Sequence, residues 1–522
     1  MAQSYYITTP IYYVNDKPHL GHVYTTVACD VLARFKRLDG YDVKFLTGTD
    51  EHGLKVKQAA DKAGITPQEF TDKVSQNFRD LVGAMNYSND DFIRTTEERH
   101  KKACAKLWTA LVEAGEIYLD KYSGWYAVRD EAYYGEDELT TTPDGKKIAP
   151  SGAECAWVEE ESYFFRLSAW QDRLLKFYED NPDAILPETR RNEVISFVKS
   201  GLRDLSISRT NFDWGVPVPD APKHVMYVWI DALTNYITAA GYADNPEEFK
   251  KFWPADLHMV GKDILRFHTV YWPAFLMAAG LQPPKRVFAH GWWTIEGQKM
   301  SKSLGNVIAP ADLIERYGVD GSRYFMLREV PFGNDGDFSH AQALLRINND
   351  LANGLGNLAQ RTLSMIAKNC DGKVPAHGDF TAEDKELLNM AQVKMLAAAR
   401  MELDRQRFHK ALEEIWSVVN AANAYIDSQA PWGLKKTDMA RMETVLYVLA
   451  ETIRCLGLVV QPVMPDSAAK ILDQLSVGEG ARDFTFLDEK HALKPGTSLP
   501  APQGVFPRIV EEETQSKAAA SS

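Results

Sequence analysis

A strand, a turn into a helix and a second strand occupy the first fifty residues, and that succession restricts what the chain can become. Tyr5-Tyr6-Ile7-Thr8-Thr9 is a short β-prone run, and Asn15-Asp16-Lys17-Pro18 forms a turn after it. Leu20, Val23, Val27, Val31, Phe35 and Leu38 then recur at spacings of three and four, which makes one apolar helical face. Gly40 is placed to end that helix. Val43-Lys44-Phe45-Leu46 reads as a second strand running into Thr47-Gly48-Thr49-Asp50. The whole is a β-α-β unit, expected to cross over right-handed. Ligands of such units gather at the carboxyl ends of the strands and at helix N-termini. His19, His22 and Asp50 fall at that rim.

His19-Leu20-Gly21-His22 opens the helix. Imidazoles at i and i+3 share one face of a first turn. Free backbone N–H groups and the helix dipole favour an anion at the same end. Gly21 has no Cβ, so a flat group such as adenine is expected to lie against the backbone there. The arrangement suits a phosphate whose charge grows in a transition state. Two histidines so spaced also arise as capping or surface residues, so the chemical reading depends on partners elsewhere. Asp50-Glu51-His52 likewise reads either as a solvated turn or as a carboxylate placed to receive an ammonium.

At 522 residues the chain is too long for one domain. Its 45% hydrophobic and 25% charged content is that of a soluble globular protein. No apolar run approaches a membrane span and the N-terminus shows no leader pattern, so no membrane partner and a cytoplasmic location are expected. The net charge of −13 argues against broad nonspecific nucleic-acid binding, while leaving room for a local basic face. Cys29, Cys104, Cys155, Cys370 and Cys455 are scattered with no C-x-x-C pair, which supports neither a disulfide framework nor a zinc knuckle.

Residues 51–115 read as helices completing a first α/β half, with starts at Pro67 and near Thr96. From 116 the texture becomes aromatic and alternating, with a turn at Pro143-Asp144-Gly145 and a strand at Ser162–Leu167. This predicts a mostly β insertion with helices near 168–180 and 187–201. Val225-Met226-Tyr227-Val228-Trp229-Ile230 then reads as a buried parallel strand. Leu257–Val260 and Arg286–Ala289 read as two more, so three strand ends are expected to bring Trp229, Asp263 and His290 to one rim. Gly297-Gln298-Lys299-Met300-Ser301-Lys302-Ser303-Leu304-Gly305 is a hinged loop whose lysines can neutralise phosphates. Periodic apolar residues through Leu344–Ile366, Leu387–Ile426 and Met442–Val460 predict a helical bundle.

His19-Leu20-Gly21-His22 and Lys299-Met300-Ser301-Lys302-Ser303 together resemble the two signatures of class I aminoacyl-tRNA synthetases. Thr9–Asn15, Thr49–Gly53, Tyr227–Ala232, Val260–Asp263 and Ala289–Gly291 narrow the resemblance to the methionyl-tRNA synthetase family, as do Gly356–Arg361 and Gln429–Trp432 in the helical part. The resemblance implies an α/β fold: a Rossmann-like parallel-sheet catalytic domain split by an inserted domain, then an α-helical anticodon-binding bundle. The expected boundaries are 1–115 and 225–295 for the catalytic halves and 116–224 for the insertion. A mobile lysine loop and linker take 296–340, the bundle 341–480, and a C-terminal extension with a disordered tail 481–522.

The resemblance also implies the chemistry: methionine and ATP give methionyl-adenylate and pyrophosphate, and the methionyl group passes to the terminal adenosine of methionine tRNA, initiator and elongator. His19, His22, Lys299 and Lys302 are then the catalytic residues. ATP is held by these with Gly21, Arg209, Gly261 and Asp263, and Mg²⁺ accompanies it. Ile11, Tyr13, Asp50, Trp229, Ala232, Leu233, Tyr236 and His290 form the methionine pocket, Asp50 taking the ammonium. An aromatic pocket suits a polarizable thioether, although isolated Trp229 and Tyr236 would read as core residues. Asn353, Asn357, Arg361 and Trp432 read the anticodon by edge contacts and stacking. Where many members carry zinc knuckles this chain has Tyr122-Ser123-Gly124-Trp125-Tyr126-Ala127-Val128-Arg129-Asp130, so no structural zinc is expected. A monomer is expected.

Synthetases for leucine, isoleucine or valine share both signatures but carry insertions far larger than the roughly 110 residues here. A cysteine-specific enzyme needs a metal site that these cysteines do not provide. A small-molecule nucleotidylyltransferase has no use for the bundle. A noncatalytic RNA-binding relative has no need of both intact signatures.

Overall fold

The computed structural model describes residues 2–14, 17–130, 132–300 and 305–510, without the side chains of Tyr122 and Glu160. The chain divides into two compact units. The first comprises Met1–Arg37, Tyr41–Trp292 and Gly333–Asp335; the second comprises Leu38–Gly40, Trp293–Phe332 and everything from Gly336 onward.

In the first unit, seven strands of the described residues form one parallel sheet. Its order is Ile185–Leu186, Val287–His290, Leu257–Gly261, Ser4–Thr8 and Asp42–Asp50. Tyr12–Tyr13 and Asp91–Arg94 flank the last of these on opposite edges, since both pair with Thr49. Ser4–Thr8 runs in register with Asp42–Leu46 on one side and places Ile7 beside Leu257 on the other. Gly48 is required by the close approach of Asp91–Arg94, because a Cβ there would meet the Ile93 carbonyl oxygen at 2.1 Å. The helix Leu20–Leu38 buries Leu20, Val23, Val27, Val31 and Phe35 of its apolar periodicity, and Leu38 at its end is half-buried. Between Asp50 and Glu113 the helices Leu54–Ala63, Pro67–Ala84 and Glu98–Glu113 are joined by the strand Asp91–Arg94, which was not expected from the sequence. A reciprocal capping box between Thr66 and Glu69 starts the second helix.

The insertion is an antiparallel sheet built on the long hairpin Ile117–Ala127 and Glu154–Phe165. Leu205–Ser206 joins it on one side and Ala132–Tyr134 on the other. Its expected extent, 116–224, is corrected by Ile185–Leu186, which pairs in parallel with Val287–Phe288 at the edge of the main sheet. Leu174, Tyr178, Val194 and Val198 of the adjacent helices share the main core. Two residues of strand carry no period, so the return to the main sheet left no mark in the pattern.

The expected parallel strand at 225–230 is also corrected. Ala221–Met226 is antiparallel, paired with Ser208–Arg209 and Pro217–Val218, and a helix, Val228–Ala239, starts two residues later. All residues of that helix but Trp229 are buried. An apolar run buried on every side has no period that separates strand from helix.

In the second unit, His340–Ile347, Asn348–Gly356 and Asn357–Asn369 make one rod with a π-helical middle. The apolar periodicity through Leu387–Ile426 is carried by helices that end at Leu403 and restart at Phe408. Met439–Val460 is the central helix, buried on all faces from Thr444 onward. It carries a buried ion pair, Glu451 with Arg454, at 2.6 Å. Glu451 also accepts from the Leu493 N–H, and Arg454 donates to the Phe486 carbonyl. These bonds tie the C-terminal extension to the central helix. Phe484, Leu487, Leu493 and Val505 are buried, and Asn348 exchanges two hydrogen bonds with the backbone of Ile509. The expected disordered tail, 511–522, lies outside the described residues.

Candidate active site

A cavity of about 400 Å³ opens at the carboxyl ends of the parallel strands, lined only by residues of the first unit. Ile11, Tyr13, His19, Gly21, His22, Asp50, Trp229, Ala232, Leu233, Tyr236, Gly261, Asp263 and His290 all line it. Thirteen expected site residues therefore meet in one cavity, from five separate stretches of chain.

At the helix start, the His19 backbone N–H donates to His22 Nδ1 at 3.0 Å, and the Gly21 N–H donates to His19 Nδ1 at 3.1 Å. A backbone N–H can only donate, so both Nδ1 atoms are acceptors and each neutral ring carries its proton on Nε2. Burial lowers both pKa values, His22 well below the ordinary histidine value, with His19 beside it adding to the effect. The pair thus offers two neutral N–H donors rather than two cations. His22 packs edge-on against Tyr12 and Phe78. Gly21 lines the cavity and also leaves room for its neighbour. A Cβ there would lie 3.0 Å from His19 Cε1, so the bare Cα accommodates the folded-back imidazole.

Asp50 ends its strand with its carbonyl accepting from the Val14 N–H at 3.1 Å, and its residue is 8% exposed. Glu51 behind it is held by Arg94, Thr49 and Thr96. Trp229 comes from the first turn of the Val228–Ala239 helix, not from a strand end, and stacks flat on Phe267 at 3.7 Å. Leu233 and Tyr236 lie one and two turns further along it. His290 does end a parallel strand. Its Nδ1 donates to the Gly291 carbonyl, so its Nε2 accepts from the Thr25 hydroxyl at 2.7 Å.

Asp263 accepts from the Trp292 indole N–H at 3.1 Å, and its carboxylate folds over Gly261, where a Cβ would meet it at 2.5 Å. Lys262 turns away to Asp335 at 2.6 Å.

Among the expected site residues of the first unit, Arg209 is the one that does not line the cavity. It is 1% exposed and its guanidinium donates to Ser206 and to the Ser208 carbonyl. The rings of Tyr126, Tyr133 and Tyr227 surround it at 4.5–5.8 Å. A cation in a strand-rich return looks available in sequence, but here the insertion packs over it.

Sequence reasoning missed Ile264 and His268, which line the cavity. His268 Nδ1 donates to the Ile264 carbonyl, so its Nε2 accepts from the Tyr236 hydroxyl at 2.7 Å. The π-helical turn Phe267–Tyr271 brings His268 round, and a 3.6-residue period cannot reveal such a shift. Arg129 and Asp130 also line the cavity, from the insertion.

In the second unit, Lys299 ends the short strand Gln298–Lys299, and its carbonyl accepts from Asn306 across the loop. Lys302, with Ser301 and Ser303, lies outside the described residues. Asn353 falls in the π-helical stretch and Asn357 directly after it, both exposed. Arg361 donates to Asp427 at 2.7 Å and lies 5.3 Å from the Trp432 ring, which is 47% exposed. Trp432 sits on the helix Pro431–Thr437, which Ala430 enters with a left-handed φ of 44°.

The buried histidines make a stability prediction. Burial holds the folded pKa of His258 well below, and that of His290 below, the ordinary value of 6.5, and that of His268 at about 4. An unfolded chain takes up these protons first, so stability is intact above about pH 6.5 and falls as the pH drops toward 4. Asp231 and Asp384, held at about 2, lose their contribution only at lower pH. The thermal midpoint is expected to be lower at pH 5 than at pH 7; an equal or higher midpoint at pH 5 contradicts this account.

A model for class I tRNA synthetases (M) matches residues 5–363, and one for the anticodon binding domain of methionyl tRNA ligase matches 374–520. The chain is 59% identical over 510 residues to the methionine–tRNA ligase of Mesorhizobium japonicum, covering 98% of each chain. Against that of Brucella suis it is 59% identical over 513 residues, covering 98% of this chain and 99% of the other. A structure of Mycobacterium tuberculosis methionyl-tRNA synthetase in complex with methionyl-adenylate superposes with a TM-score of 0.94 at 55% identity, covering 97% of this chain and all of that one. Matched along nearly its whole length, with the helix-start histidines and the strand-end carboxylate in one cavity, the chain belongs to the methionyl-tRNA synthetases of class I.

Proposed function

We propose that the cavity activates L-methionine with MgATP and that the chain then charges initiator and elongator methionine tRNAs. The observation that carries this reading is one cavity holding a buried carboxylate, an aromatic slot and two neutral imidazole donors at a helix N-terminus. A methionine carboxylate oxygen attacks the α-phosphorus. The bond to the β-phosphate breaks, and pyrophosphate leaves with its electron pair. The nucleophile is already an anion, so no proton need move, and positioning with charge stabilisation supplies the catalysis.

In this reading Asp50 binds the ammonium, with the Ile11 backbone beside it. Tyr13, Trp229, Ala232, Leu233, Tyr236 and His290 surround the thioether. His19 and His22 direct Nε2–H groups at the nucleotide, Gly21 and Gly261 allow its close approach, and Asp263 takes ribose hydroxyls. Lys299 and Lys302 neutralise the outer phosphates. Arg209 has no part in it while the tyrosines enclose it. The terminal adenosine hydroxyl then attacks the methionyl carbonyl as AMP leaves. Asn353, Asn357, Arg361 and Trp432 contact the anticodon.

The test is amino-acid-dependent ATP–pyrophosphate exchange with all twenty amino acids and no tRNA. Exchange with methionine alone is expected; strong exchange with leucine or isoleucine instead would show the pocket misread. No helix among the described residues is long and apolar enough to cross a membrane, and we place the enzyme in the cytoplasm as a monomer. The insertion has a single cysteine, Cys155, buried and with its thiol pKa raised by that burial, which does not fit a zinc knuckle. Elemental analysis is expected to find no stoichiometric zinc, and finding it would refute this point.

A further inference from the structure

Behind the cavity wall lies a buried cluster that the mechanism above does not use. Asp231 is fully buried on the Val228–Ala239 helix, and each of its carboxylate oxygens accepts from an imidazole. His52 Nδ1 stands 2.7 Å from Oδ2, and His100 Nε2 stands 2.7 Å from Oδ1. His52 and His100 are 3% and 0% exposed. None of the three lines the cavity.

Asp231 and His100, with Cys104, have the makings of a metal site. The 2.7 Å separations argue otherwise: two ligands on one tetrahedral zinc, each about 2.0 Å from it, stand roughly 3.3 Å apart. These are hydrogen bonds to a carboxylate.

The elements they join are informative. His52 is two residues beyond Asp50, in a turn tied further by the Trp214 indole donating to the Glu51 carbonyl at 2.6 Å. Asp231 is two residues after Trp229 and directly before Ala232 and Leu233, all three of which line the cavity. His100, on the Glu98–Glu113 helix, supports Asp231 from behind. The carboxylate is thus the clamp between the segment that carries Asp50 and the helix that carries the side-chain wall.

We infer that Asp231, clamped by His52 and His100, is a positioning residue that sets the distance between the ammonium partner Asp50 and the wall formed by Trp229, Ala232 and Leu233. That distance selects an amino acid by the length of its side chain. The inference rests on the methionine-activating reading above. Losing the clamp weakens recognition of methionine and leaves the phosphate side of the site, at the Leu20–Leu38 helix start, as it was.

The experiment is pyrophosphate exchange by the full chain, varying methionine and ATP separately. His52→Ala and Asp231→Ala are each expected to raise KM for methionine about tenfold or more, since each removes a charge-assisted buried hydrogen bond. KM for ATP is expected to stay within about twofold. The double variant should be no worse than the poorer single one, because both break the same link. His52→Asn sets an amide N–H near the position of Nδ1 and is expected to restore KM for methionine to within about threefold. Preference for methionine over ethionine, one methylene longer, should shrink in the alanine variants and return with asparagine.

Should Asp231→Ala fail to fold, the His52 pair decides the matter. KM values for methionine and ATP rising together, or an unchanged methionine KM in His52→Ala, would overturn the inference while the function stands. No methionine-dependent exchange by the unmodified chain would overturn the function and the inference with it.

Discussion

Replacing Asp50 with asparagine is expected to lower kcat/KM for methionine by about two to three orders of magnitude and leave KM for ATP within about twofold. The substitution keeps shape and removes charge. The backbone of Asp50 is held independently, by its register with Tyr13 and by the Val14 N–H, so the strand end stays in place. An ammonium entering this nearly buried site without its carboxylate loses water and gains no charge partner, which is the costly case. The measurement is pyrophosphate exchange as a function of methionine concentration. A methionine dependence unchanged from the unmodified chain would remove Asp50 from the ammonium site.

Trp432→Ala is expected to reduce kcat/KM for tRNA charging about ten- to a hundredfold while pyrophosphate exchange without tRNA stays within about twofold. Base stacking on an aromatic ring is worth about 1–3 kcal/mol, which sets that range. The ring is half exposed, with the Arg361 guanidinium 5.3 Å from its centroid, so one face has protein support and the rest meets solvent. Trp432 belongs to the second unit, whereas the residues lining the cavity all belong to the first. That assignment is why the two activities should separate. Trp432→Phe should keep most of the charging activity. Equal loss of exchange and charging would assign Trp432 a structural role instead.

These predictions differ in how far the sequence alone could carry them. The site in the first unit was legible because its parts sit at local punctuation. A helix with apolar residues three and four apart begins directly after His19, and Asp50 ends the strand that follows. Asp263 and His290 follow two apolar strands whose ends the pattern shows. Trp229 was legible as a site residue but not as a helical one, since the run Val225–Ile230 is apolar throughout and shows no period. The boundaries of the insertion were lost at Ile185–Leu186 for want of length. Arg209 was misplaced because exposure is not a local property: three tyrosines from other segments enclose it.

The sequence by itself determined the α/β class, the helical second part and the placing of His19, His22, Asp50, Asp263 and His290 at one rim, while the resemblance to the synthetase family supplied the rest of the thirteen cavity residues. Periodicity, turn residues and the chemistry of side chains at strand ends and helix starts are properties of short stretches. Only the tertiary structure decided that His268 turns into the cavity, that the segment from Phe484 to Ile509 packs on the bundle, and that His52 and His100 converge on Asp231. Those imidazoles lie 179 and 131 residues from the carboxylate they share. No local period records such a pairing. It exists because burying a carboxylate without hydrogen-bond donors is prohibitively costly, and the fold supplies the donors from wherever in the chain they arrive.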